Sequence, residues 1–250
     1  MNNLLEIAGL YLNVDGMALV KNAYEFSQEA HKGQKRLSGE PYFEHPVDTA
    51  VFLANLHMDE TTLAGALLHD VVENCNVTLK DLDKRFGSEV MLLVDGVTKL
   101  RNIDFKSSSR QNTTAQTRQA ENLRKMLLAM AKDIRVVLIK LADRLHNMKT
   151  LYAHAPDKQV TIARETLDIY APLAHRLGMG NLKAELEDLV FETLEPNQFK
   201  KIVKNVRATK REMKKYIEEF TNPINDQLII FKIKNRILSR SKHFNSINNK

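Results

Sequence analysis

The feature that most constrains the fold is the spacing of apolar side chains at intervals of three and four residues through most of the chain. In residues 133–149 the apolar positions share one face of an α-helix; they are Ile134, Val137, Leu138, Leu141, Leu145 and Met148. Four more segments have the character of helices: residues 60–72, 121–131, 158–177 and 182–194. Little before residue 225 shows the alternation typical of a strand. The sequence therefore predicts an all-α fold for most of its length.

Two local patterns predict where helices begin. Pro46 directly follows His45 and fits the first position of a helix, which would place His45 at the helix mouth. Thr78 is followed three residues later by Asp81, a spacing typical of a capping pair at a helix start.

Two segments depart from the helical pattern. Residues 101–119 are polar, rich in serine and threonine and nearly free of apolar residues, so we expect a mobile loop. Long loops often act as lids, and plain disorder is an equal alternative. After Pro223, residues 227–238 are rich in isoleucine and contain an alternation that predicts a strand. One strand cannot bury a face by itself, so we interpret this end as the beginning of a further domain.

The composition is that of a folded, cytoplasmic protein. Its 250 residues suffice for one sizeable helical domain, or for one domain and a fragment of a second. Because no run of about 18 apolar residues is present, no transmembrane helix is expected. The first residues lack the features of a signal peptide. The single cysteine, Cys75, cannot form an internal disulfide, which favours a reducing cytoplasmic setting.

Positive charge is in modest excess, with 37 Lys and Arg residues against 31 Asp and Glu residues and a formal net charge of +6. The excess favours anionic ligands such as nucleotides without specifying one. Residues 200–215 contain eight basic residues and one acid, Glu212. We interpret this segment as a solvated helix face; a patch that binds RNA or a protein partner is the less favoured alternative.

The strongest chemical signal is a His-Asp pair at the end of an apolar helical segment. In LLHDVVEN, residues 67–74, His69 and Asp70 are adjacent, and their nitrogen and oxygen atoms can share one divalent ion. Glu73 follows Asp70 by three residues and His69 by four, so all three share a helix face. Glu73 can then reach a water or a substrate without being a ligand. A His-Asp pair alone is weak evidence, because most such pairs lie on the surface or satisfy the core.

Two further residues are candidate ligands because of their predicted places on helices. His45 lies at a helix mouth, and Asp143 lies off the apolar stripe of its own helix. Asn147 and Thr150 follow Asp143 by four and seven residues and line the same side. Buried polar groups need partners, and a metal with a bound phosphate would supply them. From spacing alone, a metal site and a set of unrelated structural residues are about equally supported.

The segment HKGQKRLSGEPY, residues 31–42, is predicted to be a basic loop. Gly33 and Gly39 are typical of turns, and Lys35 and Arg36 bring positive charge just ahead of His45. An arginine can pair with phosphate or stack on a purine. A solvated loop without that role is the simpler interpretation.

The remaining histidines and the cysteine are expected outside the site. We predict surface or structural positions for four of the histidines: His57, His146, His154 and His175. His31 is expected to support the basic loop. Cys75 is more typical of a small buried side chain than of a metal ligand.

Several long blocks, taken together, closely resemble the hydrolase domain of the RelA/SpoT family, whose members make and degrade the alarmones ppGpp and pppGpp. The blocks are HKGQKRLSGEPYFEHP, GALLHDVVEN, LVDGVTKL, NLRKMLLAMAKDIRVVLIKLADRLHNMKTL and YAPLAHRLGMGNLKAELEDL. The resemblance runs from about residue 20 to residue 195. It implies an HD-domain helical fold in residues 1–196, with residues 197–250 holding a basic linker helix and the first strand of an α/β synthetase domain.

The last residues extend the resemblance. SRSKHFNSINNK, residues 239–250, resembles the first basic segment of the family's synthetase domain, which helps to hold ATP. The matching positions are Arg240, Lys242, His243, Ser246 and Lys250. The sheet and acidic residues that should follow are absent, so we interpret the chain as a hydrolase half and expect no synthetase activity.

The resemblance implies a metal site and a reaction. A Mn²⁺ ion would be held by His45, His69, Asp70 and Asp143, and Glu73 would assist the attacking water. The reaction would be hydrolysis of the 3′-pyrophosphate of ppGpp or pppGpp, giving pyrophosphate and GDP or GTP, which degrades the alarmone of the stringent response.

The resemblance also implies a nucleotide pocket. Arg36 would contact the guanine or its phosphates, and Ser38, Asn147 and Thr150 would line the pocket.

The sequence departs from the family pattern at two positions. The family motif ends in Glu-Asp, whereas Asn74 follows Glu73 here. Asparagine can form hydrogen bonds but cannot accept a proton, so the rate is expected to fall if the missing aspartate orients or activates the water. Leu37 stands where the family often has a basic residue. The loss of that positive charge would weaken the binding of phosphate.

We favour a Mn²⁺-dependent hydrolase of ppGpp and pppGpp, whose rate is lowered if the missing aspartate orients or activates the water. The first alternative is a regulatory module that binds the alarmone or the metal with little or no turnover. A second alternative is the remnant of a bifunctional enzyme with neither activity. Binding of nucleic acid or a ribosome through residues 200–215 has the least support.

Overall fold

Helices form nearly all the regular structure of the described part of the chain. In the computed structural model, the described residues are 2–108, 124, 128, 132–235, 237 and 243–248. The helices of the first half are α1 Asn2–Ala8, α2 Val14–Ala30, α3 Glu44–Asn55, α4 Glu60–Leu68, α5 Val71–Asn74, α6 Leu79–Phe86 and α7 Ser88–Ser108. Within the described residues, an isolated antiparallel bridge between Lys35 and Pro41 is the extent of β-structure. The predicted all-α class is therefore confirmed.

The second half is also helical. Its elements are α8 Ile134–Lys149, a 3₁₀ turn Leu151–Ala153, α9 Pro156–Glu165, a π-helical turn Thr166–Tyr170, α10 Ala171–Arg176, α11 Gly180–Leu194, α12 Pro196–Ile230 and α13 Phe244–Asn248. The helices predicted at residues 133–149 and 182–194 are confirmed as α8 and α11. The segment 158–177 is helical with a π turn inside it. Most of the helix predicted at residues 121–131 lies outside the described residues.

The helix predicted at residues 60–72 is interrupted. Helix α4 ends at Leu68, His69 and Asp70 form a turn, and α5 begins at Val71. Adjacent side chains on a regular helix diverge by about 100°. At this turn, however, His69 Nε2 and Asp70 Oδ1 lie only 3.4 Å apart. The two adjacent side chains therefore meet at the break between α4 and α5.

The two predicted helix starts have different outcomes. Helix α3 begins at Glu44, so Pro46 is its third residue and the predicted first position is wrong. The backbone already turns before Pro46, because the amide of His45 donates to the carbonyl of Tyr42 over 3.2 Å. His45 still lies in the first turn. Thr78 and Asp81 form the predicted capping box of α6.

Two sequence-based predictions of non-helical structure are wrong over the residues that the structure describes. The loop predicted at residues 101–119 is helical to Ser108, as the end of α7, and its remainder lies outside the described residues. The strand predicted at residues 227–238 is not formed, because α12 continues through Pro223 to Ile230 and residues 231–235 have no regular structure. In the described part of the chain this alternation has no partner strand with which to form a ladder, while the local helical hydrogen bonds need none.

Helix α4 is the centre of the core. Every residue from Thr62 to Leu68 is buried, and α4 packs against α2, α3, α7 and α8. Helix α8 packs in turn against α3, α7 and α11. This arrangement brings the C-terminal end of α4 close to the start of α3 and the middle of α8. The three places carry the candidate ligands predicted from the sequence.

No helix in the described part of the chain is both long enough and apolar enough to cross a bilayer.

Candidate active site

Four side chains, here called the ligand cluster, converge where α3, α4 and α8 meet: His45, His69, Asp70 and Asp143. His45 Nε2 lies 3.2 Å from Asp143 Oδ1 and 3.7 Å from Asp70 Oδ2. His69 Nε2 lies 3.4 Å from Asp70 Oδ1. All four residues are buried. The structure thus brings together the four residues that the sequence resemblance places around a metal.

The hydrogen bonds of His69 leave one of its nitrogens with a free lone pair. Its Nδ1 lies 2.7 Å from the carbonyl oxygen of Ala66, which can only accept, so Nδ1 carries the proton. Its Nε2 is buried and has no hydrogen-bond partner in the described part of the chain. A buried nitrogen without a partner is costly. Its lone pair faces a carboxylate oxygen of Asp70.

His45 also carries its lone pair on Nε2, and His146 sets this arrangement. The Nδ1 atoms of the two rings lie 2.9 Å apart, and Arg36 Nη1 also lies 3.2 Å from His146 Nδ1. Because a guanidinium can only donate, His146 Nδ1 is an acceptor and His45 Nδ1 donates to it. The other nitrogen of His146 then donates to Asp48 Oδ2 at 3.3 Å. His45 Nε2 is left as a lone pair that faces Asp70 and Asp143.

Burial also sets the charge state of His45. Burial lowers the pKa of His45 from 6.5 to about 4, although the nearby negative charge of Asp143 acts in the opposite direction. The imidazole is therefore neutral near pH 7, which is the form that binds a metal.

Asp143 is held as a carboxylate. Burial acts to raise its pKa, but the ammonium of Lys140, followed by His45, holds the pKa of Asp143 well below its ordinary value. Lys140 Nζ donates to Asp143 Oδ2 over 2.7 Å, and Asn147 Nδ2 donates to Asp143 Oδ1. The carboxylate is thus charged and fixed in orientation.

The ligand cluster fits a divalent metal ion. Two imidazole lone pairs and two carboxylates face one another in a buried space, an arrangement that a cation would stabilise. Ligand atoms of His45, His69 and Asp70 all lie within 4.8 Å of one another, and Asp143 adjoins His45. Metal-binding histidines usually donate their second nitrogen to a carbonyl or another acceptor, as both histidines do here.

The basic loop brings the positively charged side chain of Arg36 close to the ligand cluster. Gly33 and Gly39 have φ values of 77° and 91°, which favour glycine, and the loop closes through the bridge between Lys35 and Pro41. Arg36 Nη2 donates to Asn147 Oδ1 over 2.7 Å. Since Asn147 also contacts Asp143, the guanidinium lies one residue away from the ligand cluster.

The other predicted nucleotide contacts lie around this loop and at the end of α8. The Ser38 hydroxyl donates to Glu40 over 3.3 Å. Thr150 is the C-cap of α8, and its hydroxyl donates to the carbonyl of His146 over 3.2 Å. Contact between these two residues and a nucleotide stays a prediction.

Glu73 and Asn74 lie on α5, directly after His69 and Asp70, and both are exposed. Asn74 Nδ2 lies 2.7 Å from the hydroxyl of Tyr42, and that hydroxyl lies 2.6 Å from Asp70 Oδ2. Residue 74 is therefore connected to a candidate ligand through one tyrosine. The role of Glu73 in moving a proton stays a prediction.

Three residues of the site were not identified from the sequence: Tyr42, Lys140 and His146. His146 was expected at a surface or structural position, yet it is buried and contacts His45 directly. His146 follows Asp143 by three residues and Lys140 precedes it by three. This helical spacing was the sequence signal that could have identified both residues. His31 supports the loop as expected, because its ring stacks on Tyr42 at 4.8 Å and its Nδ1 contacts Gln34.

Comparison with known proteins gives a family and several relatives. A family model described as the HD domain matches residues 23–180. A guanosine-3′,5′-bis(diphosphate) 3′-pyrophosphohydrolase of Vibrio cholerae is 47% identical over 249 residues, which are 100% of this chain and 34% of that protein. The bifunctional (p)ppGpp synthase/hydrolase SpoT of Escherichia coli is 45% identical over 245 residues, 98% of this chain and 34% of that protein. The chain thus spans about a third of the length of these relatives.

One solved structure is similar in fold. It is described as a metazoan ortholog of SpoT that hydrolyzes ppGpp, and it matches with a TM-score of 0.51 and 27% identity. The match covers 74% of this chain and 98% of that chain.

Proposed function

Because this chain belongs to the HD-domain family, we propose that it hydrolyses the 3′-pyrophosphate of ppGpp and pppGpp. The products are pyrophosphate and GDP or GTP. The observation that carries the proposal is the convergence of two imidazole lone pairs and two buried carboxylates beside Arg36. The names of the Vibrio cholerae and Escherichia coli relatives support the choice of substrate.

The proposed cofactor is Mn²⁺, held by the ligand cluster. A mixed set of imidazoles and carboxylates suits a first-row divalent ion. When bound, such an ion supplies Lewis-acid chemistry, which makes water nucleophilic near neutral pH and offsets charge on phosphoryl oxygens. The chain's own residues prepare the site: Lys140 keeps Asp143 ionised, and His146 directs the lone pair of His45 inward.

Arg36 and Asn147 are proposed to position the substrate. Arg36, in the basic loop, contacts His146 and Asn147 of α8, and its guanidinium carbon lies 5.8 Å from the centre of the Tyr42 ring. A phosphate or guanine bound by this arginine would lie next to Asn147, and Asn147 touches Asp143. Such positioning converts binding free energy into correct alignment of the reacting groups. Ser38 and Thr150 are proposed to line the same pocket.

Glu73 is the proposed acceptor for the proton of the attacking water. The water oxygen forms a bond to the phosphorus that is linked to the ribose 3′ oxygen, and the bond from that phosphorus to the 3′ oxygen breaks. The 3′ oxygen then takes up a proton. A positioned carboxylate contributes on the order of 10²–10⁴-fold to such a step. Asn74 cannot share this task, since an amide does not accept a proton at neutral pH.

We further propose that residues 1–196 are the hydrolase domain and that residues 197–250 begin a second unit. The chain passes directly from α11 to the long helix α12 at Glu195 and Pro196.

The proposal is tested by measuring pyrophosphate released from ppGpp by the purified chain. Release is expected with Mn²⁺, is expected to stop on addition of a chelator, and is expected to return when Mn²⁺ is restored in excess. A chain that binds ppGpp and Mn²⁺ but releases no pyrophosphate would instead be a binding module. The presence of Asn74 beside Glu73 is the observation that favours this second candidate. A chain that neither binds nor hydrolyses ppGpp would refute both.

A further inference from the structure

We propose that Tyr42 and Asn74 are positioning residues that together hold the carboxylate of Asp70 in its metal-binding orientation. The inference rests on the proposed function only in taking Asp70 as a metal ligand. Tyr42 belongs to the basic loop, and Asn74 is the asparagine that departs from the family motif.

The direction of each hydrogen bond follows from the number of protons available. Asp70 is buried, and its carboxylate can only accept. Its Oδ2 lies 2.6 Å from the Tyr42 hydroxyl, so the single phenolic proton is donated to Asp70. Asn74 lies 2.7 Å from the same hydroxyl and must therefore donate to it through its amide. The chain of donation runs from Asn74 to Tyr42 to Asp70.

The tyrosine is fixed in place by its surroundings. Its ring stacks on that of His31, with centroids 4.8 Å apart and planes 20° apart. Its backbone amide donates to the carbonyl of Gln34 over 2.9 Å. A side chain that is already ordered loses little entropy when it orients a ligand.

Asn74 is fixed with respect to the same ligand. Its backbone amide donates to the carbonyl of Asp70 over 3.0 Å, and its carbonyl accepts from Gln34 Nε2 over 3.0 Å. Gln34 thus bonds to the backbones of both Tyr42 and Asn74. Although Asn74 is exposed, its position relative to Asp70 is set by these two contacts and by its bond to Tyr42.

The bond from Tyr42 engages one carboxylate oxygen of Asp70, and the other oxygen faces His69. Oδ1 of Asp70 faces His69 Nε2 at 3.4 Å, while Oδ2 receives the phenolic proton. Residues that hydrogen-bond to metal ligands typically contribute about 10- to 100-fold in metal affinity. An amide at residue 74 also leaves the phenolic proton to Asp70, whereas a carboxylate there would compete for it. The amide of Asn74 therefore suits this position, because it donates to the Tyr42 hydroxyl.

The test is a double-mutant cycle in which the affinity for Mn²⁺ is measured on the full chain without nucleotide. Tyr42→Phe is expected to raise the Kd for Mn²⁺ about tenfold. Asn74→Ala is expected to raise it by a smaller factor, because it acts through Tyr42. The double variant is expected to match Tyr42→Phe alone, which is the signature of two coupled residues. Titration calorimetry gives the Kd, and the electron paramagnetic resonance spectrum of bound Mn²⁺ reports the altered ligand geometry.

Tyr11→Phe is the matched control. The Tyr11 hydroxyl also donates one part-buried hydrogen bond, to the carbonyl of Met58 at 2.8 Å, but it does not belong to the site. This variant is expected to lose a similar hydrogen bond without any change in Mn²⁺ affinity. An equal effect of Tyr11→Phe and Tyr42→Phe would reduce the role of Tyr42 to general stability and overturn the inference.

The remaining outcomes separate the inference from the proposed function. Wild-type affinity in Tyr42→Phe, or strictly additive effects in the cycle, overturns the inference whether or not the chain hydrolyses ppGpp. If the wild-type chain binds Mn²⁺ but releases no pyrophosphate, the proposed function fails while the cycle still decides the inference. Should Tyr42→Phe fail to fold, the change at the exposed Asn74 decides it: unaltered affinity in Asn74→Ala overturns it.

Discussion

His45 and His146 lie with their Nδ1 atoms 2.9 Å apart, although 101 residues separate them in the chain. This contact directs the other nitrogen of His45 toward Asp70 and Asp143. His146 is itself held by Asp48 and Arg36. The pair therefore connects the residues that are proposed to hold the metal with the arginine that is proposed to bind the nucleotide.

Replacing His146 with alanine is expected to weaken Mn²⁺ binding by about 10- to 100-fold, because His45 loses the acceptor that fixes its tautomer and ring orientation. The Kd for Mn²⁺ measures this effect directly. His154→Ala is the matched control, since His154 follows the same helix without contacting the ligand cluster in any described interaction. Equal affinity in wild type and His146→Ala would show that His45 needs no such support.

Replacing Asp143 with asparagine is expected to abolish retention of the metal. The amide keeps the size of the side chain and can still bond to its neighbours, but it removes a negative charge from the cluster. The metal content of the purified variant, measured by elemental analysis, checks the prediction. Asp95→Asn, which disturbs an ion pair with Lys99 on α7, serves as the control. Undiminished metal content in Asp143→Asn would remove Asp143 from the ligand set.

Replacing Asn74 with aspartate is expected to raise the turnover of ppGpp at saturating Mn²⁺, because a second carboxylate then adjoins Glu73 and can help to accept a proton. The same change provides a competing acceptor for the Tyr42 proton. A higher Mn²⁺ concentration is therefore expected to be needed to saturate the site. Steady-state rates measured across a Mn²⁺ titration separate the two effects.

The control for this change is Asn76→Asp, which adds the same charge two residues further along the exposed segment. It is expected to leave turnover unchanged. If Asn74→Asp brings no gain at any Mn²⁺ concentration, residue 74 does not limit the rate.

The stability of the metal-free chain is expected to depend on pH through His45. Burial lowers its pKa from 6.5 in the unfolded chain to about 4 in the folded chain. Between these two values the unfolded state binds more protons, so the free energy of unfolding falls as the pH decreases from about 6.5 to about 4. The shift corresponds to an upper limit of roughly 3 kcal/mol. Asp143 does not contribute to this window, because its pKa is held below its ordinary value and its effect is lost only at lower pH.

Chemical denaturation of the metal-free chain at a series of pH values measures this slope. His45→Gln is expected to lack the part of the slope that is due to His45. Any contribution from His154, whose pKa is also lowered by burial, remains in both proteins and cancels in the difference. Parallel curves for the two proteins would contradict the assignment.

Helices and their polar faces could be predicted from the sequence, because they depend on the local pattern of residues. The apolar stripe of residues 133–149 gives α8, and its polar side carries Asp143 and Asn147 as expected. The interruption of α4 at His69 was not predictable in the same way, because the apolar pattern runs on through it. The strand expected after Pro223 was wrong for a related reason, since alternation is local whereas a strand needs a partner to pair with.

The site was predictable only in part. The family resemblance identified the four members of the ligand cluster, but the supporting residues act through contacts that are distant in sequence. Tyr42 reaches Asp70 across 28 residues and Arg36 reaches His146 across 110. No spacing rule connects such pairs. The division of the chain near residue 196 and the nucleotide contacts of Ser38 and Thr150 stay predictions.

The central claim is that the ligand cluster encloses one cation, and anomalous X-ray diffraction from crystals grown with Mn²⁺ tests it most directly. The expected result is a single strong anomalous peak bounded by Nε2 of His45, Nε2 of His69 and the carboxylates of Asp70 and Asp143. A peak at another place in the molecule, or none between these four side chains, would contradict it.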